Sequence, residues 1–364
     1  MENKKINVGI LFGGKSAEHE ISLQSAKNVI EAIDKSKYDV TLIGITKNGN
    51  WLLNEETSLL LNANDSNNIS LNLESDDVAM IPQSQGNISN FSNATFNKSV
   101  DVVFPILHGP FGEDGTIQGL LKLANIPFVG ADVLGSAVGM DKDIMKRLLR
   151  DADLPIGKFL TLHSSDNIPS YDSVIDQIGY PVFIKPANLG SSVGINKASD
   201  ESSYQKSVKE AFEFDSKVII EAFIDGREIE CAVLGNENPK ASTCGEISFT
   251  HDFYSYEAKY LDDGGFKIDI PAQIPSDIQT EIQKMAVKTF QTLACKGFAR
   301  VDFFLTKDNE ILVNEINTIP GFTKISMYPK LWEATGIPYA NLIDQLIQLA
   351  IERFEKEKGI KTSR

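Results

Sequence analysis

The sequence predicts a mixed α/β (α+β) protein folded as three domains, and three observations predict it. At 364 residues the chain is longer than one hydrophobic core usually serves. It opens as a βαβ unit, with the apolar run Ile6 to Phe12 read as a buried strand, Gly13-Gly14 as a turn, Ala17 to Ile33 as a helix and Asp39 to Ile45 as a second strand. Near its other end, Phe298 to Phe304 and Ile311 to Asn317 alternate apolar and polar residues as two half-buried strands do.

The elements between follow in order. From Leu59 to Ser99 the composition turns to Asn, Ser and Asp, which predicts loops and short strands. A strand at Val100 to Leu107, a Gly-rich turn from His108 to Gly115, a helix through Leu123 and a strand near Phe128 complete an α/β domain over residues 1–130. A second domain, 131–222, is expected to hold a helix at Asp141 to Ala152, strands at Phe159 to Leu162, Val182 to Lys185 and Val218 to Glu221, and a helix between the last two. The third, 223–364, adds further strands, a helix from Ser276 to Leu293, the two alternating strands and a terminal helix from Tyr339 to Glu357.

Composition limits the partners. A net charge of −15 with a pI near 4.8 argues against a broad nucleic-acid or anionic-membrane surface and favours small molecules. No stretch approaches the ~20 apolar residues of a membrane span. The N-terminal apolar run ends at Phe12 with charged residues directly after it, unlike a secretion signal. Three cysteines without CxxC spacing read as reduced packing thiols, so a cytoplasmic location is expected.

The chemistry is expected on the two alternating strands. Residues two apart share a strand face, so Arg300 and Asp302 lie together, as do Glu315 and Asn317. A two-residue turn at Asp308-Asn309 would pair Lys307 with Glu310, setting Asp302 opposite Glu315 and Arg300 opposite Asn317. Facing carboxylates repel unless a cation lies between them, and two carboxylates with an amide oxygen are hard ligands suited to Mg²⁺, which keeps waters and binds substrate phosphates as well. Lys185 ends an apolar strand before the Gly/Ser loop Asn188 to Gly194, an arrangement able to close over phosphate oxygens. Gly9 to Ser16 formally fits a P-loop, but most of that interval is strand, so that reading is rejected. The same turn offers Glu18 at a strand-to-helix crevice, where it suits an ammonium, and His108 ends a strand at the same crevice. Val218 to Ile224 followed by Glu228 could read an adenine and a ribose hydroxyl, and the aromatic, Gly-ended run Phe253 to Gly265 reads as a lid.

Taken in order, Gly13 to Ser22, His108 to Gly119, Met140-Asp141-Lys142, Lys185-Pro186, Gly190 to Gly194, Tyr256 to Tyr260, Arg300-Val301-Asp302 and Asn314 to Thr323 closely resemble the D-alanine–D-alanine ligases of the ATP-grasp superfamily. That resemblance implies an ATP-grasp fold with an N-terminal Rossmann-like domain and nucleotide held between central and C-terminal domains. It implies that Lys142, Lys185, Ser192 and Lys259 bind ATP, that Glu221, Ala222, Phe223 and Ile224 flank adenine, and that Glu228 holds the ribose. Asp302, Glu315 and Asn317 would carry two Mg²⁺ ions, with Mn²⁺ as an alternative. Glu18 and His108 would serve the first D-alanine, Ser326 and Met327 the second, Glu18, Ser191 and Tyr260 would link loop, lid and substrate, and Arg300 with the Gly321 N–H would meet an oxyanion. The implied reaction joins two D-alanines through a D-alanyl phosphate for peptidoglycan precursors, in a homodimer. Lys259-Tyr260 favours the dipeptide over D-lactate; D-serine ligation and an inactive nucleotide-binding regulator are the alternatives. Ile325-Ser326-Met327 stands where many family members have His-Ser-Leu.

Overall fold

The computed structural model describes residues 4–53, 60–61, 69–90, 98–191, 193–249 and 266–361. Ser192, Lys259, Tyr260 and the expected lid around them lie outside the described residues. The chain begins with β1 (Ile6–Gly13), α1 (His19–Ala32), β2 (Tyr38–Ile45), β3 (Trp51–Leu53), β4 (Leu60–Leu61), β5 (Ser70–Leu71), β6 (Asp76–Met80), β7 (Asn87–Asn90), β8 (Lys98–Ser99) and β9 (Val102–Ile106). Among the described residues the first sheet has the order β8-β7-β6-β3-β2-β1-β9, with β1 parallel to both β2 and β9. Both faces of β1 are covered: Val8, Ile10 and Phe12 enter one core and Leu11 another. A strand buried on both faces has no polar side to show, hence the unbroken apolar run. Its turn into α1 depends on Gly13, which has φ +91° and where a Cβ would come within 2.2 Å of the Ile45 carbonyl oxygen. The helix starts at His19 and not Ala17, because Glu18 is its N-cap.

Next come α2 (Thr116–Leu123), α3 (Val133–Met140) and α4 (Lys142–Asp151), then β10 (Phe159–His163), α5 (Tyr171–Ile178), β11 (Val182–Pro186), β12 (Asn196–Ala198), α6 (Glu201–Phe212) and β13 (Lys217–Ala222). These strands make an antiparallel sheet ordered β10-β13-β11-β12, with α5 and α6 on one face around Val174, Tyr204 and Val208. The expected strand near Phe128 forms only a single bridge to Val103. Helix α3 is not foreseen by the sequence reading. Its small residues let it approach closely: a Cβ on Gly139 would stand 2.8 Å from Thr318 Cγ2.

The rest is β14 (Gly226–Gly235), β15 (Lys240–Phe249), β16 (Phe266–Asp269), α7 (Ser276–Thr292), β17 (Gly297–Thr306), β18 (Ile311–Asn317), α8 (Met327–Ala334) and α9 (Tyr339–Lys358). The third sheet is antiparallel, ordered β16-β15-β14-β17-β18, with Ile229, Cys231, Val301 and Val313 in a core shared with Ile282, Ala286 and Phe290 of α7. Helix α9 returns to the first sheet, so that Leu342, Leu346 and Ile347 join Val8, Phe104 and Val29 in one core. Buried Arg353 of α9 secures this return by donating to the carbonyls of Gly130 and Phe128, the latter at 2.8 Å, with its guanidinium 4.7 Å over the Phe128 ring. Among the described residues no helix is long and apolar enough to cross a membrane.

Candidate active site

The β17–β18 hairpin sets Asp302 opposite Glu315 and Arg300 opposite Asn317, as the alternation requires. It arrives there by a different route. The turn has three residues, not two: Thr306 and Glu310 close it, with Thr306 N–H donating to Glu310 O at 3.0 Å and Asn309 at φ +61° in the left-handed position. That would shift every later pair by one, but a β-bulge at Asn314 adds the missing residue, and pairing moves from Phe303–Val313 to Asp302–Glu315. The bulge also reverses the facing of β18, so that Val313 and Ile316 both stay buried while Glu315 and Asn317 lie in the site.

A third carboxylate completes the row. Glu230 of β14 pairs with Asp302, so Glu230, Asp302 and Glu315 stand side by side across three strands. The Asp302 carboxylate accepts from Arg300 at 2.7 Å on each oxygen and from Asn317 Nδ2 at 2.8 Å, and Arg300 Nε lies 2.9 Å from Glu230. Burial works against the charge on Arg300, but Asp302 and Glu230 more than offset it and hold the guanidinium firmly cationic. Among the described residues no three or more His, Cys, Asp or Glu side chains are grouped to hold a metal by themselves. Asp302, Glu315 and the Asn317 amide instead fit an oxygen-ligated ion such as Mg²⁺ that completes its shell with water and phosphate.

Lysines gather beside this row. Asp141 caps α4 by accepting from the N–H groups of Asp143 and Ile144, both at 3.1 Å, which sets Lys142 at the first helical position. Its ammonium donates to Leu189 O at 2.6 Å and lies 3.8 Å from Glu315 Oε2, tying the base of the Gly/Ser loop to the carboxylate hairpin. Ser191 of that loop holds φ +52°. Lys185, at the end of β11, donates to Glu221 Oε2 at 2.6 Å, and Lys146 of α4 reaches Glu221 Oε1 at 3.0 Å. Burial raises the Glu221 pKa, but the two ammonium groups more than reverse this and hold the carboxyl well below its ordinary range. Burial likewise disfavours charge on Lys185, yet Glu221 and Glu315 raise its pKa overall. The Glu221 side chain is thus taken up by lysines. Beyond it, Ala222 N–H and Phe223 N–H donate to Lys158 O and Pro181 O, each at 3.0 Å. Phe223 is 43% exposed, its ring 6.1 Å from that of Phe183, and it leads through Ile224 to exposed Glu228 on β14.

On the other side lies Glu18. Its Oε2 would stand 3.4 Å from a Cβ on Gly109 and 3.8 Å from one on Gly190, so the carboxylate lies between the His108 turn and the Gly/Ser loop. His108 is buried, with Nδ1 donating to Ile319 O at 3.0 Å and Nε2 3.4 Å from Ser25 Oγ. Glu113 accepts from Gly109 N–H at 3.0 Å and Ile319 N–H at 2.9 Å, joining the turn to the segment after β18. Burial, reinforced by the Glu18 charge, pushes its pKa up to about 8. Following that segment, a Cβ on Gly321 would meet Ser326 Oγ at 3.0 Å, and that hydroxyl accepts from Thr323 N–H at 3.0 Å. Met327 is 5% exposed, and its sulfur would lie 2.8 Å from a Cβ on Gly245, so the side chain fills the core below β15 and only its backbone adjoins Ser326.

Sequence reasoning missed Glu230, Lys146 and Glu113. Each left a trace: Glu230 follows Glu228 by one alternation, Lys146 follows Lys142 by one helical turn, and Glu113 sits inside a Gly-rich turn. None of these spacings reveals which distant strand or loop the side chain meets.

The chain is similar to known proteins over its whole length. The pattern described as D-ala D-ala ligase N-terminus matches residues 7–131, and that described as D-ala D-ala ligase C-terminus matches 148–348. The chain is 56% identical over 361 residues to the D-alanine–D-alanine ligase of Shouchella clausii, covering 99% of this chain and 98% of that one. It superimposes on the D-alanine–D-alanine ligase of Coxiella burnetii with a TM-score of 0.86 at 39% identity, covering 98% and 97% of the two chains. The VanG D-Ala:D-Ser ligase of Enterococcus faecalis gives 0.84 at 38% identity, covering 95% and 100%. The Bacillus anthracis D-alanine–D-alanine ligase complexed with ATP gives 0.73 at 29%, covering 98% and 100%. With both halves matched and the whole length shared at this identity, the chain belongs to the D-alanine–D-alanine ligase family and has its ATP-grasp fold.

Proposed function

We propose that this protein joins two D-alanines into D-alanyl-D-alanine at the expense of ATP, supplying peptidoglycan precursors in the cytoplasm as a homodimer. One observation carries the reading: Lys142 links the Gly/Ser loop to Glu315, so a phosphate held by that loop would lie against the carboxylate hairpin. The domains are taken as 1–130, holding the first D-alanine, and as 131–222 and 223–364, which enclose the nucleotide. Its adenine would lie along Glu221 to Ile224 with the ribose on Glu228, and the phosphates would meet Lys142, Lys185 and the 190–194 loop.

Glu18 would take the ammonium of the first D-alanine, because it is the carboxylate lying between both loops. His108 and Glu113 would hold the turn beside it through Ile319. The carboxylate of this substrate attacks the γ-phosphorus, giving D-alanyl phosphate and ADP. The free amine of the second D-alanine, placed by Ser326 and the backbone of Met327, then adds to the acyl carbon and expels phosphate. Arg300 and the Gly321 N–H would stabilise the oxyanion of that addition, where one donor is typically worth about 3–4 kcal/mol. Mg²⁺ at Asp302, Glu315 and Asn317 would neutralise charge on the transferring phosphoryl group. Arg300 donates to both oxygens of Asp302, which keeps the guanidinium beside the residues that would hold the ion.

The test is product analysis with ATP, Mg²⁺ and D-alanine, alone and against D-serine and D-lactate. D-alanyl-D-alanine as main product, with one ADP and one phosphate each, is expected. A mixed depsipeptide or D-serine product would overturn the specificity, and no ADP would overturn the reaction.

A further inference from the structure

Lys146 stands one helical turn beyond Lys142, at the spacing that puts both on one face of α4. It is 3% exposed, deeper than Lys142 at 8%, and a buried ammonium is retained only where a partner compensates its desolvation. That partner is Glu221, whose two oxygens are divided between Lys146 at 3.0 Å and Lys185 at 2.6 Å. Around the phosphate end of the site, Lys142, Lys146, Lys185 and Arg300 thereby stand against Glu221, Glu230, Asp302 and Glu315, four cations against four carboxylates. Without Lys146, Glu221 would be balanced by Lys185 alone and would hold that ammonium toward itself, away from an incoming polyphosphate.

We propose that Lys146 is a positioning residue for nucleotide binding: it neutralises one oxygen of Glu221, so that Lys185 stays tied by a single hydrogen bond and keeps its remaining ammonium protons for nucleotide phosphates. An ammonium has three donors, and Glu221 uses one of those on Lys185. Lys146 therefore acts through Glu221 and not by touching phosphate. This inference rests on the ATP-dependent reading of the site, but its test reads nucleotide binding apart from dipeptide synthesis.

The experiment is equilibrium titration of Lys146→Met and Lys146→Arg with Mg²⁺–ATP, alongside KM for ATP and for D-alanine and the melting temperature. Methionine keeps the length and loses the charge; arginine keeps the charge. Lys146→Met should weaken ATP binding on the order of 10- to 100-fold, the range found when the outer partner of a binding group is removed, and leave the D-alanine KM within about twofold of its original value, since Glu18 lies across the site. Lys146→Arg should restore most of the affinity. In a Glu221→Gln background, with its folding checked by melting temperature, Lys146→Met should add little further loss of ATP affinity. Equal losses for ATP and D-alanine, unchanged ATP affinity with a lowered melting temperature, or full additivity with Glu221→Gln would overturn the proposal. Wild-type protein that binds ATP but forms no dipeptide would overturn the functional reading and leave this one standing; wild-type protein that binds no ATP would overturn both.

Discussion

Glu113 makes stability depend on pH in a direction opposite to that of most carboxylates. Its pKa rises from the ordinary 4.5 to about 8, first through burial and then through the Glu18 charge, against the opposing pull of the Gly109 and Ile319 N–H groups. The native state therefore binds more protons than the unfolded chain between those values. Its contribution to stability is complete below the unfolded value and is lost as pH rises through the folded one. At about 1.4 kcal/mol per pH unit, most of the loss between pH 6 and pH 9 falls before the folded pKa and amounts to about 3 kcal/mol. That corresponds to a fall in melting temperature of roughly 5 °C. The comparison is with Glu113→Gln, which removes this one titrating carboxyl and leaves the rest of the chain unchanged. The glutamine has one acceptor oxygen for two backbone donors, which costs about 1–3 kcal/mol at pH 6. The variant should begin less stable and end level or more stable, the two melting curves crossing between about pH 7 and pH 9. Parallel curves from pH 6 to pH 9 would refute the assigned environment of this carboxyl.

Two further outcomes are expected. Glu315→Gln should lower ADP release by at least about 100-fold through loss of a charge that serves phosphoryl transfer, and it should leave the melting temperature close to the parent's, because relief of the like charge opposite Asp302 and loss of the pairing with Lys142 oppose each other; retained turnover would remove Glu315 from the metal set. Arg353→Ala should cost about 2–4 kcal/mol by orphaning two buried carbonyls, those of Gly130 and Phe128, and a melting temperature equal to that of the parent would show that α9 is held to the first sheet by its apolar face alone.

What the sequence determined by itself was local. Period-two alternation put Arg300 and Asp302 on one face and Glu315 and Asn317 on another, and unbroken apolar runs marked the strands covered on both sides, such as β1. Gly13 was legible because its turn admits no Cβ. A cation at the end of an apolar strand located Lys185, the strand-to-helix crevice located Glu18, and Lys142 was expected only from the family resemblance. The predicted pairing of Asp302 with Glu315 proved right although the turn was longer than predicted, because the bulge at Asn314 compensated; alternation is a local property, whereas register depends on the partner strand.

Tertiary structure decided the rest. Glu230 becomes part of the carboxylate row only when β14 pairs with β17, far along the chain. Glu221, read as flanking a base, spends its side chain on Lys185 and Lys146 because three separate elements converge there. Helix α3 carries small residues whose periodicity is weak, while α8 is short and holds Pro329 in its first turn, and both pack against neighbouring strands. Met327 is directed into the core by Gly245 on a strand far from it in sequence. In each case the energy that selects the arrangement comes from burial and charge pairing between distant residues, and those contacts exist only after the chain has closed.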